Sequence, residues 1–385
     1  MKYRKFGKLN YEVSALGFGL MRLPTYGTDA PAGKEASDVV EDEAIRMIRY
    51  AIDHGINYID TAYPYHNGQS EKILGKVLRD GYRNKIMLAT KSPVWLLKEA
   101  KDFNRLLDEQ LERLQTDYID FYLFHALSKD RWEDIILKMN IIERAEAAKK
   151  AGKIKHLGFS FHDELDVFIK IIDSYDKWDF CQIQLNYMDI ENQAGIEGLK
   201  YAASKGLAVV IMEPLLGGKL ANPPEDIRAV FDRSNIKRSP ACWGLQWLWN
   251  LPEVSVVLSG MSNMQQLQEN IASANNSGIG ALTQEELEIV NTVRQKYNER
   301  AAIPCTGCSY CMPCPNNVNI PENFRIYNKS TIYGDIASAR GEYNNLIKEA
   351  EHAGQCAQCK LCEEKCPQKI PISGWMTKIN SDLGK

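Results

Sequence analysis

The chain predicts an α/β fold, a (β/α)8 TIM barrel followed by a small, mainly helical, cysteine-rich C-terminal domain. Two observations carry this. Eight short β-rich runs alternate with helix-patterned stretches over residues 15–297, and eight of the ten cysteines fall in two compact blocks beyond them. A length of 385 residues exceeds the usual span of one hydrophobic core, and a barrel of ~250 residues with a small module appended accounts for it.

The runs are Ala15 to Leu20, Asn57 to Asp60, Ile86 to Thr90, Ile119 to Phe124, Ile154 to Phe159, Phe180 to Leu185, Leu207 to Met212 and Val254 to Leu258. Each is short and apolar, as a parallel sheet covered on both faces requires. Glu41 to His54, Lys101 to Leu114 and Glu285 to Tyr297 read as helices between runs, the last with Leu287, Val290 and Val293 at helical spacing. The Gly7-Lys8 turn signal makes Arg4 to Val13 a candidate hairpin closing the barrel bottom. A doubly wound sheet competes, but Gly17-Phe-Gly19-Leu-Met-Arg22 lacks the third glycine, and no acidic residue closes a second strand ~20 residues later.

Pro304 and the first cysteine block mark a composition change, so the domains are drawn as 1–302 and 303–385. The blocks, Cys305-x2-Cys308-x2-Cys311-x2-Cys314-Pro315 and Cys356-x2-Cys359-x2-Cys362-x3-Cys366-Pro367, start 51 residues apart, and each is followed by Ile-Pro. This reads as a degenerate duplication. Three thiolates at C-x2-C-x2-C wrap one corner of a 4Fe-4S cubane, and the cysteine before proline completes the other cluster of a pair. Two 4Fe-4S clusters are therefore expected, one on Cys305, Cys308, Cys311 and Cys366, the other on Cys356, Cys359, Cys362 and Cys314. Four-thiolate zinc is the alternative. Only Met312 and Pro313 separate Cys311 from Cys314, a departure from the pattern that bears on Cys314. Cys181 and Cys242 read as core residues.

A net charge of −3 with no basic stripe gives no reason to expect a nucleic-acid or membrane partner. Met1 to Gly19 lacks the apolar run of a secretory signal, and no segment approaches ~18 uninterrupted apolar residues, so a cytoplasmic protein is expected. Cysteine blocks in such a protein are metal sites rather than disulfides.

Catalytic groups of a barrel come from the C-terminal ends of its strands, and successive runs there carry Asp60, Lys91 and His125. Asn57-Tyr-Ile-Asp60-Thr-Ala-Tyr-Pro-Tyr65, then Gln69-Ser-Glu-Lys-Ile-Leu-Gly75, resembles the signature of the aldo-keto reductase superfamily. Leu88-Ala-Thr-Lys91, Leu123-Phe-His125, Gly158-Phe-Ser160 and Gln182-Ile-Gln-Leu-Asn186 extend that resemblance over Met1 to Tyr297. It implies an NAD(P)H-dependent barrel with a tetrad of Asp60, Tyr65, Lys91 and His125. Tyr65 would protonate the forming alkoxide, Lys91 would lower its pKa from ~10, Asp60 would keep the lysine charged, and His125 would hydrogen-bond the carbonyl.

By the same resemblance Ser160, Gln182 and Asn186 contact or support the nicotinamide carboxamide, with Gly19, Leu20, Met21 and Asp60 at its edge. Met212 stands where many members stack an aromatic ring, and Phe161 where many carry asparagine. Glu213-Pro214-Leu215-Leu-Gly217-Gly218 matches the loop over the pyrophosphate. Ser259-Gly260-Met261-Ser262-Asn263, continuing through Glu269 and Asn270, matches the adenosine-ribose site. Gly260 and Gln266 occupy the positions where NADP-preferring members often carry lysine and arginine, which favours NADH. The whole chain resembles the subgroup with a C-terminal dicluster ferredoxin-like module.

The expected activity is reduction of an aldehyde or ketone, the substrate being a small carbonyl or alcohol. The alternative is an iron-sulfur electron-transfer protein serving a redox partner, the barrel acting as a binding scaffold. Hydride transfer moves two electrons and a cluster normally one, so the clusters read as structural, sensing or accessory. Tyr26, Tyr63 and Trp95 are the aromatic candidates for substrate contact.

Overall fold

Strands β1 (Tyr3–Lys5) and β2 (Glu12–Ser14) pair antiparallel with Tyr3 opposite Ser14. This is the expected hairpin. The computed structural model describes residues 1–27, 35 and 37–384. Gly7 turns the hairpin at φ 56°, where a Cβ would lie 2.4 Å from the Ala208 amide nitrogen, so glycine alone lets the turn pass this close. Phe6 then enters the barrel bottom with its ring centroid 4.5 Å from Phe121, 5.7 Å from Phe180 and 5.8 Å from Tyr58. Arg4 locks the plug, donating to the carbonyls of Leu251 (3.1 Å), Val254 (2.7 Å) and Trp249.

Eight parallel strands follow: β3 (Leu16–Gly19), β4 (Tyr58–Asp60), β5 (Met87–Ser92), β6 (Ile119–Leu127), β7 (Ile154–Phe161), β8 (Phe180–Gln184), β9 (Ala208–Met212) and β10 (Val254–Ser259). They close into a barrel, β10 pairing with both β9 and β3. Each overlaps one of the eight expected runs. The interior is a packed core of Phe6, Tyr58, Ala89, Phe121, Leu123, Phe180, Val210, Val256 and Leu258, not a pore. Gly158 makes room for it, since a Cβ there would meet the Phe180 ring at 2.6 Å. The outward-facing strand residues join the helices, including Glu41–Asp53 and Asp102–Leu114, in the larger core between sheet and helices.

Strand β6 carries one extra residue against β7, between Phe124 and Leu127, where Ala126 adopts φ 55°. Such a bulge re-aims the side chains beside it. It falls at His125.

By packing, the chain forms two compact units: Met1–Ala221 with Arg238–Gln284, and Asn222–Lys237 with the chain from Glu285 onward. The division therefore lies earlier than the Ala302 boundary that composition marks. Within the C-terminal unit, the Tyr297 ring packs 5.5 Å from that of Tyr333, and Arg300 donates to the Ile332 carbonyl at 3.1 Å while pairing with Asp226 at 2.8 Å. These contacts hold residues before 302 to the helix Ile320–Tyr333.

Three further helices, Ile336–Leu346, Leu361–Lys365 and Ile372–Leu383, surround a small core that includes Phe324, Tyr343 and Met376. The duplication is visible in the backbone. A helix starts six residues after the last cysteine of each block, at Ile320 and at Ile372. Left-handed residues recur at matching places, Gly307 with Gln358, Ser309 with Lys360, and Asn317 with Lys369.

Candidate active site

The tetrad assembles at the C-terminal end of the barrel. Lys91 is 1% exposed, and its Nζ donates to Asp60 Oδ1 at 2.6 Å, to the Thr61 carbonyl at 2.8 Å and to Tyr65 Oη at 3.3 Å. Three acceptors match the three donors of an ammonium. Burial acts to lower the lysine pKa, but Asp60 and Tyr65 outweigh it and hold the value up. Burial also pushes the Asp60 carboxyl up while Lys91 pulls it back, and the three-oxygen cage makes the charged lysine the stable state. Tyr65 is delivered by the turn after β4, where His66, Asn67 and Gly68 all take left-handed conformations before the helix Gln69–Val77.

The Tyr65 direction differs from the one read in the sequence, and that of His125 is new. Burial raises the Tyr65 phenol, and Lys91 opposes it without prevailing, so the expected lowering is one contribution rather than the net effect. His125 lies well below the ordinary imidazole range because of burial, then the charges of Lys91, His162 and Arg131. It is thus a neutral hydrogen-bonding group. A kcat/KM profile should therefore show no inflection near the ordinary value of ~6.5, and a step there that disappears in His125→Gln would contradict a neutral imidazole. The unfolded chain takes this proton more readily than the folded one. His125's contribution to stability is accordingly complete above ~6.5 and is lost as pH falls below it.

A buried network supports the site from behind. Glu71, in the helix after Tyr65, accepts from Thr90 Oγ1 at 2.7 Å, Gln110 Nε2 at 2.6 Å and Arg113 Nη1 at 3.3 Å. Gln110 Nε2 also reaches the Lys91 carbonyl at 3.1 Å, which fixes the lysine backbone. Of the three aromatic candidates, Trp95 sits at the mouth, its ring 5.0 Å from His125. Tyr63 instead bonds Glu109 at 3.1 Å and lies under Arg113, and Tyr26 pairs its backbone with Asp38.

Three buried polar atoms in the barrel mouth lack a partner among the described residues: Asp60 Oδ2, His125 Nδ1 and Gln182 Oε1. Orphaned groups of this kind are costly unless a ligand meets them, and the three fit a carboxamide and a carbonyl. Ser160, beside Gln182 in register, accepts from the Ala126 amide at 2.7 Å and keeps its own proton for donation. Asn186 accepts from the Met188 and Asp189 amides and donates to the Glu213 carbonyl at 3.3 Å, which makes it a support of the Glu213 to Gly218 loop.

In that loop Pro214 is buried, Leu215 packs on Gly244, and Gly217 and Gly218 take φ 65° and 96°. Met212, half-buried, ends β9. Around β3, Gly19 and Leu20 are buried and Met21 is exposed. After β10, Met261 turns into the core, Asn270 donates to Ser259 Oγ at 3.1 Å, Glu269 accepts from Gln265, and Gln266 accepts from the Ser262 amide at 2.8 Å.

Arg22 received no role from the sequence. A Cβ at Gly260 would sit 3.2 Å from the Arg22 stem, and one at Gly217 3.3 Å from its guanidinium. This side chain thus bridges the two loops matched to the dinucleotide and has no carboxylate partner among the described residues. The only sequence signal was a cation three residues past Gly19.

In the C-terminal unit the cysteines gather in the crossed sets. Cys305, Cys308, Cys311 and Cys366 line one cavity with Ile320, Phe324 and Ile372, and Cys314, Cys356, Cys359 and Cys362 line another with Val318 and Met376. Cys314 takes its expected place although only two residues separate it from Cys311. The Gly307 amide points at Cys305 Sγ (3.5 Å) and the Gln358 amide at Cys356 Sγ (3.4 Å), the same contact in each repeat.

The barrel, its tetrad and the thiol cavities define an oxidoreductase scaffold joined to an iron-sulfur module. The profile of the Aldo/keto reductase family matches residues 15–294, and that of the 4Fe-4S dicluster domain matches residues 304–370. The chain belongs to the aldo/keto reductase family and carries a 4Fe-4S dicluster domain at its C-terminus. It is 29% identical over 316 residues to an L-galactose dehydrogenase of Arabidopsis thaliana, spanning 76% of this chain and 94% of that protein. It is 32% identical over 234 residues to aldo-keto reductase YhdN of Bacillus subtilis, spanning 57% and 64%. An aldo-keto reductase from Bacillus halodurans, solved in its holo form, superposes with TM-score 0.61 at 27% identity over 76% of this chain and 96% of that one.

Proposed function

We propose that the protein is a cytoplasmic NAD(P)H-dependent reductase of an aldehyde or ketone, favouring NADH, with two 4Fe-4S clusters in a structural, sensing or accessory electron-transfer role. The observation that carries it is the Lys91 cage, which presents the Tyr65 hydroxyl beside a neutral His125 in a largely buried site. A nicotinamide held beside Ser160, Gln182 and Asn186 would supply hydride chemistry at the carbonyl carbon. Tyr65 gives its proton to the carbonyl oxygen, and the resulting phenolate is held by Lys91 at 3.3 Å until solvent returns a proton. His125 donates a hydrogen bond to the same oxygen, which places two donors where charge develops.

The preference for NADH rests on Gly260, which offers no cation, and on Gln266, whose carbonyl is engaged by Ser262. Arg22 is the nearby cation, and its guanidinium reaches toward Gly217 on the pyrophosphate loop rather than staying at Gly260. Fluorescence titration should give NADH a Kd at least about tenfold below that of NADPH. Arg22→Ala should weaken both dinucleotides alike. Tighter NADPH binding, or a loss confined to NADPH, would sink the preference.

An accessory electron-transfer role has one observation in its favour: Cys308 and Cys359, one from each thiol set, are the exposed members of their sets. Full carbonyl reduction by a folded, cluster-free variant would dismiss an obligatory relay.

A further inference from the structure

We propose that Arg131 anchors a carboxylate on the substrate, so that the carbonyl compounds this enzyme reduces are acids. The inference rests on the reductase reading and names the substrate class for the same site. Arg131 opens the helical turn Arg131–Leu137 just past the β6 bulge. Its Nη1 donates to the Ala126 carbonyl at 2.6 Å, and its guanidinium lies 5.3 Å above the Trp95 ring, which itself lies 5.0 Å from the His125 ring. The group is therefore held from two sides next to the residue that meets the carbonyl. Among the described residues it has no carboxylate within ion-pairing distance, and two acids of the neighbouring segments are engaged elsewhere, Glu133 with Lys170 and Asp163 with the Lys129 amide.

An arginine stacked on an indole and fixed through one nitrogen keeps its Nε and Nη2 edge for a planar oxyanion, the geometry of bidentate carboxylate recognition. Trp95 is 39% exposed and His162 is exposed, so this edge lies at an open mouth. A molecule with its carbonyl oxygen at Tyr65 and His125 needs only a few bonds to reach it. The competing role is positioning: if by holding Ala126 Arg131 served only to aim His125, a neutral substrate would suffer equally.

The two roles separate by substrate. With the full-length, cluster-loaded protein and NADH, 4-carboxybenzaldehyde should show a KM lower than that of methyl 4-formylbenzoate. Arg131→Ala should raise the KM for the acid by about 10- to 100-fold while changing kcat and the ester's KM less than threefold, with partial recovery in Arg131→Lys. An equal fall in kcat for acid and ester would make Arg131 a positioning residue and overturn the anchor. Preference for 4-formylphenyl phosphate over the acid would overturn the carboxylate assignment. If no carbonyl is reduced, the reductase reading fails by itself. Calorimetric binding of 4-carboxybenzyl alcohol then decides, since loss in Arg131→Ala upholds the anchor and unchanged binding removes it.

Discussion

Tyr65→Phe should lower kcat by about 10²- to 10⁴-fold and leave dinucleotide affinity unchanged. The exchange removes one oxygen from a half-buried ring of the same shape. Lys91 keeps Asp60 Oδ1 at 2.6 Å and the Thr61 carbonyl at 2.8 Å, so the cage survives and the barrel stays folded. Nothing nearby replaces the lost acid: His125 is neutral, and giving up its only ring proton would create an imidazolate. Lys91→Met is a poorer test, because it strands the buried Asp60 carboxylate at a cost of about 3–5 kcal/mol and mixes stability with catalysis. Single-turnover NADH oxidation reads the step directly. A loss below threefold would remove Tyr65 as the proton donor. In the wild-type enzyme the alkaline limb of kcat/KM should lie above the ordinary phenol value, because burial raises Tyr65 more than Lys91 lowers it.

Cys366→Ser should empty the thiol set of the other cysteine block. Cys366 lines the cavity of Cys305, Cys308 and Cys311, and Cys314 lines that of Cys356, Cys359 and Cys362. Anaerobically purified protein should hold roughly eight irons, and each single variant roughly four. Double variants make the test sharp. Cys366→Ser with Cys308→Ser should lose no more iron than either alone, whereas Cys366→Ser with Cys359→Ser should lose all of it. The reverse result would uncross the ligands. Loss of a cluster should also loosen the domain, because Ile320, Phe324, Ile372 and Met376 line these cavities and would face water in its place. Faster proteolysis within 303–384 measures that loosening, with the barrel's thermal transition as the internal control.

The barrel was legible because its strands are apolar runs ending in polar residues, a pattern that survives without any knowledge of loops. Asp60, Lys91 and His125 follow directly from it. What stayed hidden depends on distant segments meeting. Arg22 acquires meaning only when the loops after β9 and β10 return to it, and Arg131 only when Ala126 takes a left-handed conformation that its residue type does not announce. Glu71 stood inside a quoted motif, yet its partners Thr90, Gln110 and Arg113 come from two other elements. The direction of the Tyr65 shift required knowing how deeply the phenol is buried. The domain boundary followed composition, whereas packing follows aromatic and ionic contacts such as Tyr297 with Tyr333 and Arg300 with Asp226. The crossed cysteine sets were legible from spacing, because a cubane corner constrains it more tightly than any loop does.

The crossing also sets a timetable for biosynthesis. A ribosome releases Cys305, Cys308, Cys311 and Cys314 long before Cys356, and at that moment neither four-thiol set is complete. The second set closes only once Cys362 has emerged, and the first only with Cys366. The whole barrel precedes both, so it can fold during translation while iron loading waits for a nearly finished chain. A message truncated before codon 366 would yield a barrel whose iron-sulfur module lacks at least one ligand, which makes metal content a record of whether synthesis passed that codon.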